Sequence, residues 1–472
     1  MYGVGPGHPF LYRIPATGDR PMRFAAKGLP AGLTLDPENG IIRGTIAGGE
    51  KRAYPVTLVA TNARGRAERV FRVVVGDTLA LTPPMGWNDW YTFYEHPSDT
   101  LMRRAADIMV QSGLAGLGYQ YVNIDDCWML KPGAREPDLQ GAARDERGMI
   151  NANRRFPDMK GMTAYIHSLG LKAGIYTSPG PRTCAGYYAS YGHEALDVAR
   201  FVEWGFDFLK YDWCSYDEVA PKGAGPERER MERPYRLMGG LLKKQPRDVV
   251  FNLCQYGMGD VWTWGGDVGG HTWRTTGDLG LEKSQRLPGF YSIGFKNAEH
   301  AEYAQPGRWN DPDYILIGYV GNAHNVDEPP RPTSLTPNEQ YSYMSMWVLM
   351  AAPLFYSGDI TRLDPFTLNV LSNAEVVAVD QDALGRQARV IRKTEDEFIL
   401  AKPMEDGSLA VGVFNLAEGR RDVSVSWGEL SIRGDRRVRD LWRWKELGAF
   451  TDRFAASVPR HGVALVRLWP AR

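Results

Sequence analysis

Between about residue 80 and residue 385, short hydrophobic runs alternate with stretches of helical period, and this alternation constrains the fold more than any other feature. The runs are Tyr119 to Ile124, Leu171 to Tyr176, Phe206 to Tyr211 and Val249 to Leu253. Between them lie Leu101 to Ser112, Met159 to Leu169 and Glu194 to Trp204, with apolar residues at helical spacing. Strands separated by helices return in the same direction and pair in parallel. Over roughly 300 residues the pattern predicts an α/β fold, a (β/α)8 TIM barrel. The flanks are different. Residues 1–78 hold alternating runs such as Tyr54 to Ala60 and Arg69 to Val75, broken by turn signals, and predict a β-sandwich. Residues 386–472 return to alternation at Phe398 to Ala401, Leu409 to Phe414 and Val463 to Leu468, predicting an antiparallel β-sandwich. The expected domains are therefore 1–78, 79–385 and 386–472.

The totals narrow the function class. Lys+Arg and Asp+Glu are both 56, so the formal net charge is zero, which argues against nucleic acid or a membrane surface as a charge-driven partner. No apolar run reaches membrane-spanning length. The 14 Trp and 23 Tyr suit a large core, and flat rings also suit the apolar face of a sugar. Four cysteines, Cys127, Cys184, Cys214 and Cys254, show no metal-type spacing. The first residues lack a basic and apolar leader, which fits either a cytoplasmic protein or one whose signal peptide has been removed.

In a barrel the chemistry collects at the C-terminal ends of the strands. There the sequence places Trp87, Asn88 and Asp89; then Asp125, Asp126, Cys127 and Trp128; Tyr176; Lys210 and Asp212; Gln255 and Tyr256; Arg274 and Asp278; Asp311 and Asp313. Lys210 and Asp212 share one face of a strand, because side chains repeat every second residue. A lysine so placed is expected to hold the carboxylate ionised, ready to act as a nucleophile. The same pattern also fits an ion pair that only ties down a loop. Carboxylates at several strand ends, joined by two cations and several rings, are harder to explain as packing, since buried carboxylates are costly unless paired. They suit a polyhydroxylated ligand and supply the two carboxyls of glycoside hydrolysis. A metal-dependent barrel enzyme would also cluster carboxylates, but there is no His pair, and His271 reads as a satisfied loop histidine.

Taken in order, several segments resemble glycoside hydrolase family 27, the melibiase or α-galactosidase family. They are Pro84-Met85-Gly86-Trp87, Ile124 to Trp128, Arg154-Arg155-Phe156-Pro157, Gly170 to Tyr176, Thr183-Cys184-Ala185-Gly186, Lys210-Tyr211-Asp212, Trp273-Arg274, Trp309 to Asp313 and Ala351 to Leu354. The segment Gly28 to Thr45 similarly resembles Ig-like modules carried by secreted bacterial hydrolases. The resemblance implies a retaining exo-α-galactosidase working by double displacement without a cofactor or metal. Asp212 would be the nucleophile and Asp278 the acid/base, carrying its proton in the first step, with the two carboxyls roughly 5–5.5 Å apart. Asp125 and Asp126 would grip the sugar's 4- and 6-hydroxyls. Lys210 would hydrogen-bond the sugar, and Arg274 would reach the 2-hydroxyl side. Trp87, Tyr176, Cys214 and Asp313 would line the pocket.

The resemblance also implies a Cys184–Cys214 disulfide, hence an oxidising compartment and a secreted or periplasmic protein. Cys127 and Cys254 are expected to be free and buried. Two departures stand out. Cys254-Gln255-Tyr256 replaces the Cys-Glu-Trp of many relatives, so Gln255 would face the sugar's 2-position and leave galactose open to alternatives. These are N-acetylgalactosamine, arabinopyranose or an isomaltodextranase substrate, with a non-catalytic carbohydrate-binding barrel as a further reading. The Pro- and Asn-rich loop 322–337 is long and could wall a leaving-group sugar or be a plain solvent loop.

Overall fold

The computed structural model describes residues 1–471 apart from 49, 224, 281, 282, 285 and 322–327. Eight strands form one parallel sheet: β1 (Met85–Asn88), β2 (Tyr121–Asn123), β3 (Lys172–Thr177), β4 (Phe208–Asp212), β5 (Val250–Cys254), β6 (Thr272–Arg274), β7 (Trp309–Asp311) and β8 (Leu354–Tyr356). Their spatial order is β7-β6-β5-β4-β3-β2-β1-β8. Ile315, just past β7, bridges in parallel to Tyr356 on β8 and closes the ring. Every residue of β3, β4 and β5 is buried, as expected of strands covered on both faces. Close packing explains Gly174 in β3, where an added Cβ would lie 2.0 Å from Asn123 Oδ1.

The helices follow from capping and apolar spacing. Asp99–Gln111 starts where the Ser98 side chain accepts from Leu101 N–H, and it buries Met102, Ala105, Ala106 and Met109 on one face. Pro337–Leu349 starts at a capping box between Thr336 and Glu339 with Pro at the first position. Of the loop 322–337, residues 322–327 lie outside the described residues. The remainder of the loop pairs Arg331–Pro332 with Tyr319–Val320 and then caps this helix.

The N-terminal module packs a four-stranded against a three-stranded sheet around Phe10, Ile42, Val56 and Val73. It sits on the floor of the barrel, at the strands' N-terminal ends. Asp248, ahead of β5, accepts from Gly5 N–H at 2.8 Å and contacts His8 Nδ1 at 2.7 Å. Lys172, opening β3, donates to the Tyr2 hydroxyl, and Arg13 donates to Leu169 O. A cavity of about 1100 Å³ remains between module and floor, lined among others by Tyr12, Arg69, Tyr121 and Glu405. The clustered carboxylates lie away from it, at the opposite end of the strands. The C-terminal unit is a six-stranded antiparallel sheet facing a two-stranded one over Val411, Val423, Trp427 and Phe454. It joins the barrel through His461, whose Nδ1 lies 2.8 Å from Glu339 Oε1 with both side chains buried.

Candidate active site

The strand ends bring the expected residues together in two layers. The deep layer centres on Asp125, one residue beyond Ile124 and fully buried. Its carboxylate accepts from Asn88 Nδ2 at 2.9 Å, Tyr314 O–H at 2.9 Å, Lys210 Nζ at 2.9 and 3.1 Å, and Asp126 N–H at 3.0 Å. Its own N–H donates to Asp89 Oδ1 at 2.8 Å. Asp126 accepts from the N–H groups of Cys127 and Ala185 at 2.6 and 2.9 Å, yet burial outweighs these donors and pushes its carboxyl up to about 7.

Lys210 answers the sequence reading only in part. The lysine is expected to hold Asp212, its strand neighbour, ionised, and its charge does favour that anion, but its hydrogen bonds go to Asp125. Burial pulls the ammonium towards its neutral form, but the groups around it, Asp125 foremost, outweigh this and favour the cation. The rings of Tyr176 and Tyr314 face it at 5.2 Å and Trp90 at 5.9 Å.

Asp212 ends β4, only 5% exposed. Its partners are phenols. Tyr256 O–H donates to Oδ1 at 2.5 Å, and Tyr176 O–H reaches Oδ2 at 3.3 Å. Burial pushes the carboxyl up to about 6; Lys210 and the Tyr256 bond pull the other way, while the like charges of Asp278 and Asp125 add to the rise. The expectation of an anion held simply by a lysine thus becomes a balance in which the anion still predominates at neutral pH.

The disulfide Cys184–Cys214 is present, linking the loops after β3 and β4, and Cys127 and Cys254 are free and buried, as expected. Its sulfurs lie against the same phenols: Cys184 Sγ is 3.5 Å from Tyr256 O–H and Cys214 Sγ is 3.6 Å from Tyr176 O–H.

The outer layer is built on Arg274 at the end of β6. It contacts Asp313 at 3.0 Å and Asp278 at 3.2 Å and donates to Gly277 O at 2.8 Å. Asp313, with no exposed surface, also accepts from Tyr91 O–H at 2.7 Å and Leu279 N–H at 2.8 Å, so it braces the arginine and the Asp278 loop. Asp278 stands at the rim, its side chain 44% exposed. Trp87 is buried and donates to Gly358 O at 3.0 Å. Gln255 turns back into its own loop: Nε2 donates to Met258 O at 2.7 Å, and Oε1 is buried with no hydrogen-bond partner among the described residues. His271 is a satisfied histidine, as expected; its Nδ1 accepts from Phe251 N–H, and burial lowers it to about 4, keeping it neutral.

Sequence reasoning assigned no partner to three participants. Asp89 is buried beside Asp125 and pushed strongly towards its neutral form by burial and that neighbour. Tyr314 donates to Asp125, and Tyr256 donates to Asp212. Asp89 and Tyr256 are among the strand-end residues already named and Tyr314 directly follows Asp313, but only distances across the barrel reveal their partners.

Known proteins agree with this architecture. The family model described as Alpha galactosidase A matches residues 82–382, its C-terminal beta sandwich domain matches 396–468, and an Ig domain matches 2–76. Alpha-galactosidase 2 of Arabidopsis thaliana is 36% identical over 402 residues, covering 84% of this chain and 92% of the plant protein. A crystal structure from Bacteroides fragilis superposes with a TM-score of 0.88 at 34% identity, covering 99% of this chain and 96% of that one. Alpha-galactosidase I of Mortierella vinacea superposes at 0.73 with 28% identity, over 84% of this chain and 99% of the fungal one. With more than half its length matched to the family, and a barrel that carries the carboxylates at its strand ends, the chain belongs to the melibiase family of glycoside hydrolases, family 27.

Proposed function

We infer that the protein is an exo-acting α-galactosidase that removes terminal α-D-galactosyl residues with retention, Asp212 being the nucleophile and Asp278 the acid/base. One observation carries the reading: two carboxyls with contrasting environments stand at the same end of the barrel, Asp212 buried at the end of β4 and Asp278 half-exposed beyond β6. In the first step an Asp212 oxygen bonds to the anomeric carbon, the bond to the leaving group breaks, and Asp278 gives its proton to the departing oxygen. In the second step water attacks the same carbon, yields a proton to Asp278, and the electron pair of the ester bond returns to Asp212.

Asp125, Asp126 and Lys210 form the polar end wall for sugar hydroxyls, and Arg274, braced by Asp313, flanks the opposite side. Substrates of this class are galactosides, whether oligosaccharides or glycans. The Cys184–Cys214 disulfide supports a secreted or periplasmic setting. A panel of nitrophenyl glycosides tests the reading: the α-galactoside should be the best substrate, and cleavage of the N-acetylated or the arabinopyranosyl substrate alone would overturn it.

A further inference from the structure

Tyr256 makes the shortest hydrogen bond that Asp212 accepts among the described residues, 2.5 Å to Oδ1, whereas Oδ2 has only the long contact to Tyr176 at 3.3 Å. The loop after β5 is shaped to deliver that phenol. Tyr256 has φ +64°, in the left-handed region that a tyrosine seldom occupies. Gly257 comes next at φ +82°, where a Cβ would meet Thr275 O at 2.3 Å. Gln255 closes the turn, its carbonyl accepting from Met258 N–H at 3.1 Å and its side chain donating to Met258 O at 2.7 Å. The phenol oxygen then rests on the disulfide, 3.5 and 3.9 Å from its two sulfurs.

We propose that Tyr256 is a positioning residue for the nucleophile, pinning Oδ1 of Asp212 so that Oδ2 is the oxygen that attacks the anomeric carbon. This rests on the assignment of Asp212 above. When the Oδ2 lone pair forms the bond to carbon, the leaving group departs with the proton of Asp278, and Oδ1 becomes the ester carbonyl with the phenol still on it. When water attacks, its proton goes to Asp278 and the pair of the C–Oδ2 bond returns to the carboxylate. The phenol meets that returning charge. It therefore favours the second step and extends the range of pH over which free Asp212 is an anion.

Asp212 is also faced by Lys210 on its own strand, Asp125 beyond β2, Tyr176 on β3, Tyr235 on the helix after β4, Cys254 on β5 and Asp278 beyond β6. Tyr256→Phe leaves all of these in place and removes one donor. It should move the acid limb of kcat/KM upward by about one to two pH units, the effect of one hydrogen bond to a charge. With an activated aryl galactoside, kcat and KM should fall together by about 10-fold or more, because the intermediate accumulates. Tyr176→Phe, losing the longer contact, should move the limb less. Should Tyr256→Phe fail to fold, 3-fluorotyrosine at this position keeps the shape and strengthens the donor, and it should move the limb down. An acid limb unmoved by the Tyr256 replacement that is tested, or moved more by Tyr176→Phe than by Tyr256→Phe, overturns the proposal. Asp212→Asn separates the two readings: full turnover in that variant removes the nucleophile itself, whereas its loss beside an unmoved limb sinks only the tyrosine.

Discussion

Lys210→Met is the substitution whose outcome depends most on where the lysine's charge is spent. Its Nζ lies 2.9 Å from Asp125, with side chains 9% and 2% exposed. At that distance the gross attraction is about 6 kcal/mol at an effective dielectric of 20, much of it offset by desolvation. Removing the lysine alone leaves Asp125 buried and, among the described residues, served by Asn88, Tyr314 and one backbone N–H. Breaking one side of such a pair costs about 3–5 kcal/mol. In a barrel-sized domain that corresponds to a fall of roughly 6–20 °C in Tm. Lys210→Met with Asp125→Asn should recover about half or more of the loss, because the amide keeps its neutral partners. The parallel cycle with Asp212→Asn should show much weaker coupling. Thermal unfolding by calorimetry of the single and double variants supplies both coupling energies. A stronger coupling to Asp212 than to Asp125, or a single variant within about 1 kcal/mol of the parent, would refute the pairing.

Asp212 is held above the ordinary carboxylate range at a cost to folding. Its value of about 6 against 3.8 means the folded state disfavours the anion by about 3 kcal/mol at neutral pH. Because the folded value is raised, the penalty is present above about 6 and fades as pH falls towards 3.8. Asp212→Asn should accordingly be more stable than the parent at about pH 7 and equal to it near pH 4; a variant less stable at neutral pH contradicts the burial argument. Removing the Cys184–Cys214 link, whose residues are 30 apart, by paired serine substitution should cost about 3–4 kcal/mol and loosen both tyrosines around Asp212. Calorimetry reads the cost, and a variant with unchanged Tm would show that the loops hold their places without it.

The barrel was legible because its signals are local. Every expected strand end carries a strand, and Glu194 to Trp204 is a helix with those very bounds. Partners across the barrel were not legible. Residues two apart on a strand share a face with backbones about 6.6 Å apart, so both side chains are also open to partners from neighbouring strands. So Lys210 and Asp212 do point into the same barrel, and the lysine finds Asp125 from β2 closer at hand. Tyr256 escaped for a similar reason. Nothing in Cys254-Gln255-Tyr256 announces a left-handed residue, and only the turn made by Gln255 and Gly257 swings the phenol onto Asp212. Gln255 shows the converse case: a residue chosen for its hydrogen-bonding side chain spends it on its own loop. The disulfide came from the family pattern, since spacing alone leaves the pairing of four cysteines open.

The division of labour between the two aspartates is tested most directly by rescue with azide. Asp212→Ala supplied with an activated α-galactoside and azide should form β-galactosyl azide, the small anion filling the space of the missing nucleophile. Asp278→Ala should instead form α-galactosyl azide, because azide intercepts the enzyme ester from the opposite face. The same anomer from both variants, or undiminished hydrolysis by either one without azide, would contradict the account.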